Sequence, residues 1–374
     1  MVTAAHPLAV EAGYSVLKHG GSALDAAIAV QMVLGLAEPE SSGIGGGAFL
    51  LHWSEKDRTL RSYDGRETAP AAARPDRFLD EGKRPLDFAS AVVSGRSVGV
   101  PGALRLLELA HRRHGRLAWA ELFQFAIFAA EEGFAMSPRL HGVLGRERFL
   151  KEDPAAREIY YGADGRPKPV GALIVNRAYG ATLRTIAQEG PDAFYRGAIA
   201  ADMVRAVRAH ARAGDMTAAD LASYRAVERE PLCGPYREWR ICSMAPPSSG
   251  GIALLQILGM LERRGFARAA PHSAEAVHLF TEAARLAYAD RARYVGDPDF
   301  VTVPVASLLD EKYLNQRAQL IGERSMRLAP PGDAEGGTSH LSVVDAEGNA
   351  VVLTTTVESP FGSRIMVRGF LLNN

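Results

Sequence analysis

The stretch that most constrains this chain is Gly336-Gly337-Thr338-Ser339-His340-Leu341-Ser342-Val343-Val344-Asp345. Two glycines run into a threonine, and a strand pattern begins there and turns at Ala346-Glu347-Gly348-Asn349. A second strand, Ala350 to Val357, carries Thr354, Thr355 and Thr356. The pattern is that of a β-hairpin. A threonine hydroxyl is a weak nucleophile until a base takes its proton, and an N-terminal threonine can use its own α-amine. An internal threonine gains that amine only when the chain is cut before it. Ser325 to Gly337 reads SMRLAPPGDAEGG, a loop composition. Gly337 has no side chain to block the Thr338 hydroxyl from the preceding carbonyl. Thr338 is thus a candidate nucleophile, Thr356 its neighbour across the hairpin, and Gly337–Thr338 a candidate self-cleavage bond. Spacing alone also fits a plain loop ending followed by strand-forming threonines.

Upstream, apolar spacing predicts helices over 8–18, 23–37, 101–113, 117–133, 177–189, 198–213, 252–264 and 272–295. A short helix over 217–224 has Thr217 as its N-cap and Asp220 three residues on. Residues 48–53 and 59–64 read as a hairpin, and 225–245 as strands. Gly43 to Gly47 is a tight turn rather than a dinucleotide fingerprint, because a helix precedes it and the G-x-G-x-x-G order is missing. Ser248 and Ser249 are read as caps of the following helix. The long helix over 272–295 is expected to turn Val277, Phe280, Ala284, Ala287 and Tyr294 inward, with Asp290 and Arg291 as an ion pair. This order lacks the βαβ rhythm of a doubly wound sheet, so periodicity alone gives mixed α and β.

Composition removes several classes. Lysine plus arginine and aspartate plus glutamate are balanced at 43 each, which leaves no nucleic-acid footprint and no acidic tail. Cys233 and Cys242 make neither a disulfide framework nor a metal set, and are ordinary strand residues or one bridge. The apolar run 23–37 contains Asp25 and Gln31 and is too short to span a bilayer. The first residues lack a basic segment followed by an apolar one, so no signal peptide is read and the compartment stays open.

The segment Thr338 to Val351, followed by Thr354-Thr355-Thr356-Val357-Glu358-Ser359-Pro360-Phe361-Gly362-Ser363, resembles the start of the small subunit in the γ-glutamyltransferase (γ-glutamyltranspeptidase, glutathione hydrolase) family of self-cleaving N-terminal-nucleophile hydrolases. The resemblance runs upstream in order through Gly43-Ile44-Gly45-Gly46-Gly47, Asp64-Gly65-Arg66-Glu67-Thr68-Ala69-Pro70, Gly99-Val100-Pro101-Gly102, Pro246-Pro247-Ser248-Ser249-Gly250-Gly251 and Tyr288-Ala289-Asp290-Arg291. It implies an α+β fold, the four-layer α-β-β-α sandwich of N-terminal-nucleophile hydrolases, incomplete at the C-terminus. It divides the chain into a large-subunit region 1–337, with its cleavage linker 325–337, and the opening 338–374 of a small subunit.

For function, the resemblance implies autocleavage before Thr338 and catalysis by Thr338 with Thr356. Arg66 matches the family's glutamate-binding arginine and would clamp a substrate carboxylate through its two-pronged guanidinium. Glu358 stands where well-studied transpeptidases have asparagine. A carboxylate there suits a substrate α-ammonium and repels a carboxylate. The implied substrates are glutathione and related γ-glutamyl amides, with water, an amino acid or a peptide as acceptor. No metal or organic cofactor is implied. Two rivals share the chemistry, a glutaryl-amide (cephalosporin-type) acylase and a poly-γ-glutamate-cleaving relative. A third, of another class, is an unprocessed homologue with a structural or binding role. In the family the oxyanion donors and part of the substrate pocket lie beyond the position of Asn374, so this stretch by itself is expected to be inactive.

Overall fold

A computed structural model of the chain describes residues 1–326 and 337–374, with the Thr338 side chain outside the described residues. Apart from its two ends, the expected linker 325–337 also lies outside them. The described residues form two compact units, one of residues 1–228 with 337–374, the other of 229–326. In chain order the strands used below are β1 (Val2–Thr3), β2 (Gly47–Ser54), β3 (Thr59–Gly65), β4 (Val227–Arg229), β5 (Leu232–Tyr236), β6 (Trp239–Ser243), β7 (Gly337–Val344) and β8 (Ala350–Glu358). The helices used are α1 (Pro7–Lys18), α2 (Ala23–Ala37), α3 (Ala103–His114), α4 (Gly250–Arg263) and α5 (Ala274–Tyr294).

The first unit is organised on a six-stranded sheet in the order β1-β7-β8-β2-β3-β4. Alternation decides its two faces. Leu341 and Val343 of β7, Val351 and Leu353 of β8, Leu50 of β2 and Tyr63 of β3 are all fully buried. That face packs against α2 and α3. On the other face His340 and Thr354 are exposed and hydrogen-bond each other at 2.9 Å. Helix α2 is buried along its whole length, as a helix apolar all round must be. Each of its large aliphatic side chains contributes about 1.5–3 kcal/mol relative to exposure. Its start is fixed by a capping box between Ser22 and Asp25.

The predicted hairpin is β7–β8, and its turn is tied to α2. The Asp345 carboxylate accepts hydrogen bonds from the Asn349 backbone N–H and side-chain amide, both at 2.9 Å, and from the Ala23 N–H at 3.1 Å. Burial works against this charge, but those donors outweigh it and hold Asp345 below the usual carboxylate range. An anion at the first turn of α2 also meets the positive end of the helix.

Several local expectations need correction. The helix expected over 117–133 is a 3₁₀ turn, Trp119–Phe123, followed by Gln124–Glu132. The helix expected to reach residue 213 ends at Ala209. Gly214 instead lies against the Gly95 backbone, where a Cβ would fall 2.0 Å from the Gly95 carbonyl oxygen.

In the second unit α4 and α5 pack around Met260, Leu261, Leu279, Ala283, Leu286 and Ala287. The expected inward face of α5 holds for Ala287, which is buried, and for Ala284, which packs against this core, but not for its large residues. Val277, Phe280 and Tyr294 are exposed, while the Leu279–Ala283–Leu286 stripe is inside. Both stripes fit a 3.6-residue repeat, and the one with small alanines lets α4 approach closely. Asp290 does not pair with Arg291, since adjacent helical residues point apart. Its carboxylate meets Arg317 at 2.8 Å and the Gln256 amide at 3.0 Å. Arg291 Nε donates to Ser249 Oγ at 2.7 Å, and Ser249 makes no side-chain cap of α4. Cys233 and Cys242 face each other across β5–β6 and form a disulfide. Among the described residues no helix is long and apolar enough to cross a membrane.

Candidate active site

The open end of the β7–β8 hairpin places Thr338 directly opposite Thr356. Beyond that pair β8 bulges, so Glu358 rather than Val357 faces Gly337. Thr356 Oγ1 accepts the Glu358 N–H at 2.8 Å and helps fix the bulge. Glu358 sits at φ +77°, a left-handed conformation that a non-glycine residue adopts only when its surroundings impose it.

The glycine turn explains how the opposite wall comes so close. A Cβ on Gly46 would fall 2.0 Å from the Thr356 carbonyl oxygen, and one on Gly47 2.4 Å from the Glu67 carboxylate. Gly47 also pairs in register with Thr356, next to β8. The sequence reading of this turn as a close backbone passage is therefore correct, and the neighbour is the end of β8.

Arg66 follows the last residue of β3. Asp64 Oδ1 accepts its backbone N–H at 2.8 Å, and the Tyr224 hydroxyl donates to its carbonyl at 2.7 Å. These two bonds orient the residue from both sides. Its Nη2 lies 2.8 Å from Glu358 Oε2 and its Nε lies 3.1 Å from Glu67 Oε2. Burial works against the guanidinium charge, but Glu67, Glu358 and Asp64 together hold its pKa above the usual value. Burial pushes the Glu67 carboxyl up, with Arg66 opposing. Arg66 keeps 42% of its side chain exposed, so a ligand reaches it.

The backbone of Thr338 thus converges with Thr356, Arg66 and Glu358. Arg66 and Glu358 were expected as separate substrate contacts, and here they contact each other. Two residues escaped the sequence reading. Glu67 lies inside the Arg66 motif and carried no assignment. Asn373 binds the two glycine loops together. Its side chain accepts the Gly99 N–H at 2.8 Å and donates to the Gly45 and Gly99 carbonyls at 2.8 and 2.9 Å. Nothing in its local sequence signals that role, because all its partners are distant in the chain.

A threonine thus stands at the open end of a sheet hairpin on an α+β fold, faced by a second threonine and flanked by an arginine–carboxylate cluster. The family model described as Gamma-glutamyltranspeptidase matches residues 9–374. The glutathione hydrolase proenzyme of Bacillus subtilis (strain 168) is 38% identical over 397 residues, covering all of this chain and 67% of that protein. The chain therefore spans about two thirds of the length of this relative. Among solved structures, Helicobacter pylori gamma-glutamyltranspeptidase has a TM-score of 0.82 at 34% identity, covering 87% of this chain and 93% of that one. Cephalosporin acylase from Bacillus halodurans has a TM-score of 0.83 at 28% identity, covering all of this chain and 68% of that one. The chain belongs to the gamma-glutamyltranspeptidase family of N-terminal-nucleophile hydrolases.

Proposed function

We propose that the precursor containing this chain cleaves itself between Gly337 and Thr338. The new N-terminus then hydrolyses or transfers the γ-glutamyl group of glutathione and related amides. The observation that carries this reading is the register of Thr338 on Thr356 beside the Arg66–Glu358 pair. Cleavage divides the chain into a large-subunit part, 1–337, and a small-subunit part that starts at Thr338. The Thr338 α-amine takes the hydroxyl proton as Oγ attacks the γ-carbonyl. The C–N bond breaks, the proton passes to the departing amine, and a γ-glutamyl ester remains on Thr338. Water releases glutamate from that ester, or an amino acid or peptide amine accepts the group. Thr356 holds the attacking residue in line across the hairpin.

The ion pair sharpens the substrate class. A γ-glutamyl head carries both an α-carboxylate and an α-ammonium. Inserted between Arg66 and Glu358, it gives each a partner of opposite charge. A glutaryl head brings a carboxylate alone, to one guanidinium already neighboured by Glu67 and Glu358. The site therefore favours γ-glutamyl over glutaryl amides, which separates this reading from the cephalosporin-acylase-like one.

The test is the precursor with Thr338→Ala. The unaltered precursor is expected to split into two chains, the smaller starting at Thr338 by mass spectrometry, and to hydrolyse glutathione. The variant is expected to do neither. A Thr338→Ala precursor that still splits and still consumes glutathione overturns the reading.

A further inference from the structure

A second arginine cluster lies in the first unit, built from α3 and the segments at 192–196 and 225–226. It lines a cavity of about 250 Å³ with Arg105, Arg112, Arg196, Arg225, Glu108 and Asp192. Four of its charges are already paired. Arg105 bridges Glu108 at 2.6 Å and Asp192 at 2.8 Å, with its guanidinium 4.3 Å from the Tyr195 ring centre. Arg112 also reaches Glu108. The Nε of Arg105 is buried and has no hydrogen-bond partner.

Arg196 and Arg225 are held differently. Arg196 donates to the Ala222 carbonyl at 3.3 Å. Arg225 donates to the carbonyls of Ala222 and Tyr224 at 3.1 and 2.7 Å. Neutral acceptors orient both guanidiniums without compensating them. Four guanidiniums against two carboxylates leave two positive charges around a space large enough for a small organic ion. The surrounding potential shows in Asp192, whose carboxyl is held below the usual range by the Arg105 hydrogen bond and then by the charges of Arg105, Arg196 and Arg112. Planar forks of this kind match the oxygens of carboxylates and phosphates.

We propose that this cavity binds a compact dianion, a dicarboxylate or a phosphate, gripped by Arg196 and Arg225 with Arg105 behind them. The proposal does not rest on the catalytic reading above. Glutarate and inorganic phosphate are the probes, each titrated calorimetrically into the intact protein at constant ionic strength, with chloride as the control. At least one is expected to bind saturably at one site. The double variant Arg196→Ala/Arg225→Ala is expected to lose at least about tenfold in affinity, as removal of charged hydrogen bonds implies. Both side chains are exposed, and an unchanged melting curve shows that the variant is folded. Arg66→Ala is expected to bind the probe as before. Whichever probe binds more tightly names the source of the dianion. Binding no better than chloride, equal binding by the double variant, or loss in Arg66→Ala instead, overturns the site.

Discussion

The two arginine clusters of the first unit differ in balance. At the hairpin end one guanidinium, Arg66, is surrounded by Glu67, Glu358 and Asp64. In the α3 cavity four guanidiniums face two carboxylates, and only Arg105 and Arg112 pair with Glu108 and Asp192. The first cluster has acid to spare and suits a ligand that brings a cation along with its anion. The second has base to spare and suits an anion alone. Arginine–carboxylate pairs are common in proteins, and counting them says little. What discriminates is which charge is left over and whether it faces open space.

The largest expected effect that tests this contrast is at Arg66. Arg66→Ala in the processed enzyme should lower kcat/KM for γ-glutamyl amides by about 10²- to 10³-fold, the range for removing one partner of a hydrogen-bonded charge pair. Steady-state kinetics read it. A loss below about threefold would mean that the cluster is structural rather than a substrate clamp.

Next comes Glu358→Gln. It should reduce the preference for γ-glutamyl over glutaryl substrates by about 10- to 100-fold, because a hydrogen bond to a charged group contributes about 1.5–3 kcal/mol. Unchanged selectivity between the two amides would separate Glu358 from the substrate ammonium.

Asp345→Ala tests the scaffold that holds the hairpin on α2. It should cost about 1–3 kcal/mol of stability, since the buried N–H of Ala23 and the half-buried N–H of Asn349 lose their acceptor. Thermal melting measures it, and a melting point within a degree of the parent would refute it.

A smaller effect comes from a region where burial outweighs the carboxylates that oppose it, Asp345 at His52 and Glu228 at His114. His52 and His114 stack with ring centres 3.7 Å apart, and His114 Nε2 lies 2.7 Å from the Tyr63 hydroxyl. Burial lowers each to about 4, and for His114 the charges of His52, Arg61 and Arg113 add to it. Their folded pKa lies below the ordinary value of 6.5, so the folded state binds fewer protons than the unfolded chain. The neutral pair contributes fully above about pH 6.5, and stability falls as pH drops from there towards 4. His52→Phe should flatten that part of the melting-temperature profile. Where the arginines keep charge by gathering carboxylates, this pair gives up its charge.

Much of the scaffold was legible because it is local. The hairpin 338–357, the helices over 23–37 and 177–189, and the Thr217–Asp220 cap depend on periodicity and capping within a few residues. The inward face of α5 was not legible, since two apolar stripes fit the same repeat and only α4 chose between them. The Cys233–Cys242 bridge was left open for the same reason, as the strand register alone brings the two sulfurs together.

The same division holds at the site. Residue chemistry offered Thr338 and Thr356 as candidates, and family resemblance pointed to Arg66 and Glu358 through their short motifs. The chain alone did not disclose that Arg66 and Glu358, 292 positions apart, hold each other, or that Asn373 fastens the two glycine loops. Nor did it show which guanidiniums of the α3 cavity lack a carboxylate. Residue types and spacing fix what a side chain is able to do. Its net charge environment depends on strands and helices far apart in the chain, and folding alone brings those to within a few ångströms.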